Sequence, residues 1–296
     1  MKRWILLFIT FLPITVWAWN ATGHRQVAAL AWEVMDIPVR RQVTLLLRQH
    51  PDYARWQKRQ QEKDPDYGVF LEASTWADDI RGDRRFYSPN EYPTPLLPGF
   101  PDMARHGNWH YQDAQGGELA RRLPELAQTL TEKGSGQDER AGEQAYALVW
   151  LLHLVGDLHQ PLHTGGRSDR GGNQLKVRLN QNVPGFKAGK QISLHRYWDN
   201  LPGPPWLRGE RLRASIATLE RIPDEKGRTG DVESWLAESQ VLARRGAYPT
   251  VKGGTGRISP AFHQKAKGIA EERIALAGYR LGVWLNQLFG AASSTY

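Results

Sequence analysis

The stretch from Glu143 to Thr164 reads EQAYALVWLLHLVGDLHQPLHT, and it limits the possible folds more than any other part of the chain. A helix that is apolar on every face is buried on every face, so other elements must surround it. Each polar side chain it carries must then find a partner away from water. Yet this run holds His153, Asp157, His159 and His163, where leucines would pack at lower cost. His153 and Asp157 are four apart and project from one helix face. Pro161 should end or bend the helix just beyond them, letting His163 turn back toward the pair. The same spacing recurs at His195 and Asp199 in LHRYWDN.

The rest of the sequence supplies the surround. Thr22 is positioned to cap a helix through QVAALAWEVM, and Pro38 to open a second through RRQVTLLLRQH. YGVFLEASTWADDI continues the helical pattern, and GELARRL with PELAQTL form a pair split or bent at Pro124. GERLRASIATLERI, VESWLAESQVLARR and, after Ser259-Pro260, AFHQKAKGIAEERIALAGYRLGVWLNQLF complete the helices. Residues 174–179 and 190–194 instead alternate polar and apolar, which predicts a small β-hairpin. Segments 81–105 and 247–257, rich in Pro, Arg and Gly, read as surface loops. With 296 residues and no sharp change of composition, the expectation is one domain, all-α and mainly helical, with that hairpin.

Lys2 and Arg3, an apolar run to Trp17, and Val16-Trp17-Ala18 form a secretory signal peptide over residues 1–18. Residues 19–296 then form the domain, periplasmic or secreted, beginning at Trp19 and without a membrane anchor after processing. The chain has no cysteine, so its stability outside the cytoplasm must come from core packing or bound metal. A net charge of +8 is compatible with a polyanionic partner.

Either His/Asp pair alone reads as an ordinary hydrogen-bonded pair. His24, Asp78 in TWADD and His110 in NWHYQDA add further donors of the same kind. Imidazole nitrogen with carboxylate oxygen, and no thiolate, is the donor set of catalytic zinc. His159 falls on another helix face and suits a structural hydrogen bond, Asp79 a solvated or capping role, and His50 and His263 the surface. His106, four before His110, is the rival for that ligand position.

The ordered strings WNATGHRQVAALA, WAD, WHYQDA, HLVGDLHQPLH, DRGGN, LHRYWDN and ALAGYRLGVWLN run from Trp19 to Asn286. Together they resemble the S1/P1-type family of zinc-dependent, single-strand-preferring nucleases of fungi, plants and bacteria; the missing cysteines fit a bacterial member. The resemblance implies a phospholipase C/nuclease-like fold with three zinc ions at the bottom of a cleft. It implies Asp78, His110, His153 and Asp157 around one zinc. Asp157 would bridge to a second, held also by His24 and by the free amine and carbonyl of Trp19, while His163, His195 and Asp199 would hold the third. The family pattern selects the histidine between Trp109 and Tyr111, hence His110 over His106. It further implies Asp113 as the catalytic carboxylate that orients or deprotonates the attacking water, and Asn200 as a nucleotide contact. The expected partners are single-stranded DNA, RNA and 3′-nucleotides, cleaved to 5′-phosphate products by a monomer. The rivals are a zinc phospholipase C-like phosphodiesterase and a non-catalytic periplasmic zinc-binding protein. Scavengers of that second kind carry flexible His-rich tracts, whereas five of the nine histidines here are spread over separate helices beside carboxylates.

Overall fold

A computed structural model describes residues 19–132, 137–183, 185–219 and 230–290, with the side chains of 137–139 excepted. The signal-segment expectation and the end of GERLRASIATLERI lie outside these residues. In chain order the helices are α1 (Ala21–Val34), α2 (Ile37–Arg48), α3 (Tyr53–Arg59), α4 (Pro65–Ala73), α5 (Trp76–Asp79), α6 (Leu119–Thr131), α7 (Gln137–His159), α8 (Pro161–Thr164), α9 (Leu194–Asp199), α10 (Gly209–Ala217), α11 (Val232–Arg245) and α12 (Pro260–Gly290). The fold is mainly helical, as the periodicity predicts. No helix among the described residues is long and apolar enough to cross a membrane.

The apolar run forms the central helix α7, which packs against α1, α2, α5, α6, α11 and α12. Leu148 through Leu152, Leu154 and Val155 have no solvent exposure. The longest helix, α12, lies along α1, and two small residues one turn apart set the approach. A Cβ on Gly278 would stand 2.5 Å from Leu30 Cβ, and one on Gly282 2.6 Å from Val34 Cβ. Any larger side chain would push the two helices apart.

The N-terminal cap of α1 is Asn20 rather than Thr22. Asn20 Oδ1 accepts from the amides of Thr22 (3.0 Å) and Gly23 (3.3 Å), while the Thr22 hydroxyl donates to the Pro204 carbonyl. The YGVFLEASTWADDI pattern is broken at residues 74–75. There the Ser74 and Thr75 hydroxyls donate back to the Leu71 and Glu72 carbonyls and compete with the helix. Pro124 does not split its segment: α6 is continuous, with the proline on the exposed side where a freed carbonyl can be hydrated.

The hairpin is present as strands β3 (Lys176–Leu179) and β4 (Gln191–Ser193), but the sheet is larger than expected; a short ribbon, β1 (Gln112–Asp113) with β2 (Gly116–Gly117), precedes it. Segment 247–257 is not a plain loop: β5 (Val251–Lys252) and β6 (Thr255–Ile258) form a second hairpin, and β6 pairs parallel with β3 to give the order β4-β3-β6-β5. Segment 81–105 is also more than surface. Phe86, Phe100 and Met103 are buried, and both phenyl rings meet Trp76 edge-on. His50 is buried in the same aromatic cluster, where its Nδ1 accepts from the Asp52 amide (3.1 Å), so it is a core residue. His263 is half-buried and hydrogen-bonded to the Tyr197 hydroxyl (2.9 Å).

Candidate metal centre

Five elements other than α7 bring chemistry to its C-terminal half. Helix α1 presents His24, the α5 turn presents Asp78, and the segment before β1 presents His110. Helix α8 and helix α9 add His163, His195 and Asp199. Their donor atoms fall into three groups, each with all atoms within 4.8 Å of one another: His24, His153 and Asp157; Asp78, His110 and His153; His163, His195 and Asp199. Asp157 joins the first two, with Oδ1 3.4 Å from His24 Nε2 and Oδ2 2.9 Å from His110 Nδ1. The eight side chains proposed from sequence as ligands therefore converge on one buried floor.

The hydrogen bonds around these histidines set which nitrogen faces inward. His153 Nδ1 donates to the Ser74 carbonyl (2.9 Å), His195 Nδ1 to the Gly171 carbonyl (2.7 Å), and His163 Nδ1 to the His110 carbonyl. Each ring therefore keeps an Nε2 lone pair for the cluster. The consequence is sharpest in the third group, where His163 Nε2 and His195 Nε2 stand 3.1 Å apart and Asp199 Oδ1 is 3.7 Å from the latter. Two imidazole nitrogens and a carboxylate oxygen held this close together are a donor set suited to one divalent cation. In the first two groups His24 Nε2, His110 Nε2, His153 Nε2 and Asp157 Oδ1 are buried without a hydrogen bond, while Asp78 Oδ1 has the Arg81 guanidinium beside it. Buried acceptors without donors are rare and costly, and this set fits a divalent metal.

Burial dominates the electrostatics. It holds His24 well below the ordinary imidazole pKa, with His153, His163 and Arg81 adding to the effect, and does the same to His110, with Arg81 and His153 adding. His153 is lowered by burial against the opposing pull of Asp78. Burial pushes Asp157 well above the carboxylate range, helped by Asp78, and pushes Asp199 up against a hydrogen bond from Gln160. Neutral imidazole is the ligating form, and a cation would return both carboxylates to their charged form.

Glycine makes room at two points. A Cβ on Gly156 would stand 2.9 Å from His24 Nδ1. Gly171 has φ +58°, and a Cβ there would stand 2.2 Å from the Leu162 carbonyl, so the backbone that receives His195 Nδ1 admits no side chain. Trp19 is fully buried beside this floor, its Cδ1 3.9 Å from a Cβ placed on Gly156. The next residue's amide, that of Asn20, donates to the Asp199 carbonyl (3.0 Å).

Above the clusters opens a cleft of about 610 Å³ lined by Arg81, Arg105, Tyr111, Asp113, Arg170 and His195 among others. Asp113 lies on its wall. Asn200 does not line it: its side chain donates to the Arg196 carbonyl (2.8 Å) and accepts from Asn20 Nδ2 (3.2 Å), at the Trp19 end of the site. His106 turns away, with Nε2 on Asp102 (2.8 Å) and its ring stacked 3.7 Å from Trp109. His159 also faces away: Nδ1 donates to the Val155 carbonyl (2.8 Å) and Nε2 accepts from Arg280 (3.0 Å). Asp79 pairs with Arg59. Sequence reasoning missed Arg81, whose Nη2 is 3.0 Å from Asp78 Oδ1 and which reaches the cleft. Its i+3 position after Asp78 is the signal that could have found it. It also missed Gln160, whose Nε2 donates to Asp199 Oδ1 (2.9 Å).

Comparison with known proteins identifies the family. A sequence model of the family described as S1/P1 Nuclease matches residues 19–290. Endonuclease 2 of Arabidopsis thaliana is 23% identical over 317 aligned residues, covering 96% of this chain and 98% of that protein. Endonuclease 3 of the same plant is 32% identical over 162 residues, 49% of this chain and 52% of the relative. Nuclease S1 of Aspergillus oryzae is 29% identical over 177 residues, 51% and 56% of the two chains. Against these last two the chain spans about half the relative's length. Because the family match runs from the buried tryptophan to the end of α12, and so includes every element that feeds the floor of the cleft, the chain belongs to the S1/P1 nuclease family.

Proposed function

We propose that this protein is a secreted or periplasmic zinc-dependent nuclease that hydrolyses phosphodiester bonds of single-stranded DNA and RNA to 5′-phosphate products, with 3′-nucleotidase activity. The observation that carries the reading is the trio of buried His/carboxylate groups, the first two of them with buried ring nitrogens that make no hydrogen bond, beside a cleft. Asp78, His110, His153 and Asp157 would hold one zinc, Asp157, His24 and the Trp19 amine and carbonyl a second, and His163, His195 and Asp199 a third. When bound, zinc in such sites supplies an acidified water and Lewis-acid neutralisation of phosphate charge. Asp113, on the cleft wall, takes or orients the proton of the attacking water. Arg81 brings positive charge beside Asp78, and its Nε makes no hydrogen bond among the described residues. Asn200, tied to Asn20, would contact a nucleotide at the Trp19 end of the site, outside the cleft lining. A deep floor favours a single strand, since an unstacked base and bending backbone can descend to it and a duplex cannot.

The Trp19 assignment depends on removal of residues 1–18. An α-amino group has a pKa of about 7.7 to 8.0, so it sheds its proton to a metal at little cost near neutrality. A recombinant form that keeps Ala18 is expected to hold one zinc fewer than the form beginning at Trp19 and to lose most of its activity. Equal zinc content and turnover, by elemental analysis and assay, would refute this.

The test of the whole reading is hydrolysis of single-stranded DNA by the processed protein, abolished by a chelator and restored by zinc. Chelator-insensitive cleavage, or none after zinc is returned, overturns it. Release of choline phosphate from phosphatidylcholine without nucleotide release would point to a phospholipase C-like phosphodiesterase instead.

A further inference from the structure

The charge of this chain is concentrated. Residues 170–198 and 239–270 together contain twelve Lys and Arg and no Asp or Glu, while the rest holds 27 basic and 31 acidic residues. The whole positive excess thus resides in two segments, and these are the segments that pair to build the four-stranded sheet. Strand β3 alternates exposed Lys176 and Arg178 with buried Val177 and Leu179. Parallel pairing sets Arg257 of β6 beside Arg178 and Thr255 beside Lys176, and Lys252 of β5 opposite Thr255. Partners in register face the same side of a sheet. Lys176, Arg178, Lys252 and Arg257 therefore share one solvent face, and none makes an ion pair among the described residues. Adjacent like charges such as Arg178 and Arg257 oppose the pairing that holds them together, a cost that a bound polyanion reverses.

This face is continuous with the cleft. Arg170 and Asn173 line the cleft, and Lys176 follows three residues later. Ser193, paired with Lys176, leads directly into His195 on the same cleft wall. Arg178 lies roughly 6.6 Å farther along the strand. A membrane-binding face would combine its cations with exposed apolar or aromatic anchors, and the sheet offers only Val251 of that kind.

We propose that the exposed face of the β4-β3-β6-β5 sheet is a backbone-binding track for the part of a single strand that extends beyond the cleft, so that affinity grows with substrate length without regard to base. The inference rests on the nuclease reading. Its test uses the zinc-loaded processed protein and a labelled, cleavage-resistant phosphorodithioate 20-nucleotide single strand. One triple variant carries Lys176→Ser, Arg178→Ser and Arg257→Ser. A control triple, Arg41→Ser, Lys58→Ser and Arg211→Ser, removes the same charge from exposed positions on α2, α3 and α10. Fluorescence anisotropy should show the sheet variant binding at least tenfold more weakly. Its slope of log affinity against log salt should fall by about 2, from three lost phosphate contacts at ~0.7 each. The control should keep the wild-type slope. The ratio of kcat/KM for a 20-mer to that for a dinucleotide should fall about tenfold in the sheet variant only. Equal losses in both triples overturn the proposal, as does loss of binding to anionic phosphatidylglycerol vesicles with oligonucleotide binding intact. If wild type binds the strand through the sheet but cleaves no natural oligonucleotide, the nuclease reading fails and the track stands.

Discussion

Asp157→Asn should abolish more than about 99.9% of activity, a loss of at least ~10³-fold, and reduce zinc from three ions to one. Asp157 stands between the first two groups, within 3.4 Å of His24, of His110 and of His153, the member the two groups share. The amide is nearly isosteric and can still hydrogen-bond His110, so the fold should survive. The effect on stability should change sign with metal. In the zinc-loaded protein the substitution removes a charged ligand and lowers Tm. In the chelated protein the same position holds a carboxyl group whose ionisation burial opposes; replacing it with a neutral amide removes that cost, and Tm at pH 7 should rise or hold. Thermal unfolding of both proteins with and without chelator reads this directly. Three retained zinc ions, or equal destabilisation in both states, would defeat the shared-ligand assignment.

Chelation of the wild type should lower stability by several kcal/mol, about 4 kcal/mol where free zinc had been a thousandfold above its Kd, and should create a steep acid sensitivity. His24, His50, His110, His153 and His159 are fully buried with pKa values lowered by burial. A histidine depressed in the folded state contributes stability that is present above its unfolded pKa of about 6.5 and lost as pH falls below it. Asp157 and Asp199, raised by burial, act in the opposite sense: their contribution is present below about 3.8 and lost as pH rises toward their folded values. Five histidines outnumber two carboxylates, so the chelated protein should weaken from pH 6.5 downward, at a limit of about 4 kcal/mol per pH unit. Zinc-loaded protein keeps its ligands deprotonated and should resist to lower pH. Urea midpoints at pH 7.0 and 5.5, with and without chelator, measure the difference. Identical pH dependence in the two states would remove the histidines from the metal centre.

Much of this protein is legible along the chain because spacing within one element is local geometry. The i, i+4 relation of His153 to Asp157 and of His195 to Asp199, the all-apolar character of α7, and the alternation in β3 and β4 need only helix and strand periods. Capping was less legible: Asn20 and Thr22 both suit the role, and Thr22 is drawn off by the Pro204 carbonyl, a partner 182 residues away. Segment 81–105 looked exterior because its Pro, Arg and Gly set its composition, yet three of its apolar side chains are buried in the core, two of them against Trp76.

What the sequence determined by itself is the inventory: a buried helix rich in imidazole and carboxylate, more of the same donors on other helices, and basic segments free of acid. Only the tertiary structure decided who meets whom. The parallel pairing of β6 with β3 joined two basic segments about eighty residues apart into one charged face. The carbonyls of Ser74, His110 and Gly171 each met an Nδ1 and so turned the Nε2 atoms of three histidines inward, while stacking on Trp109 turned His106 away. Periodicity fixes positions within an element; the placement of elements follows from burying apolar faces and satisfying buried polar groups across the whole chain at once.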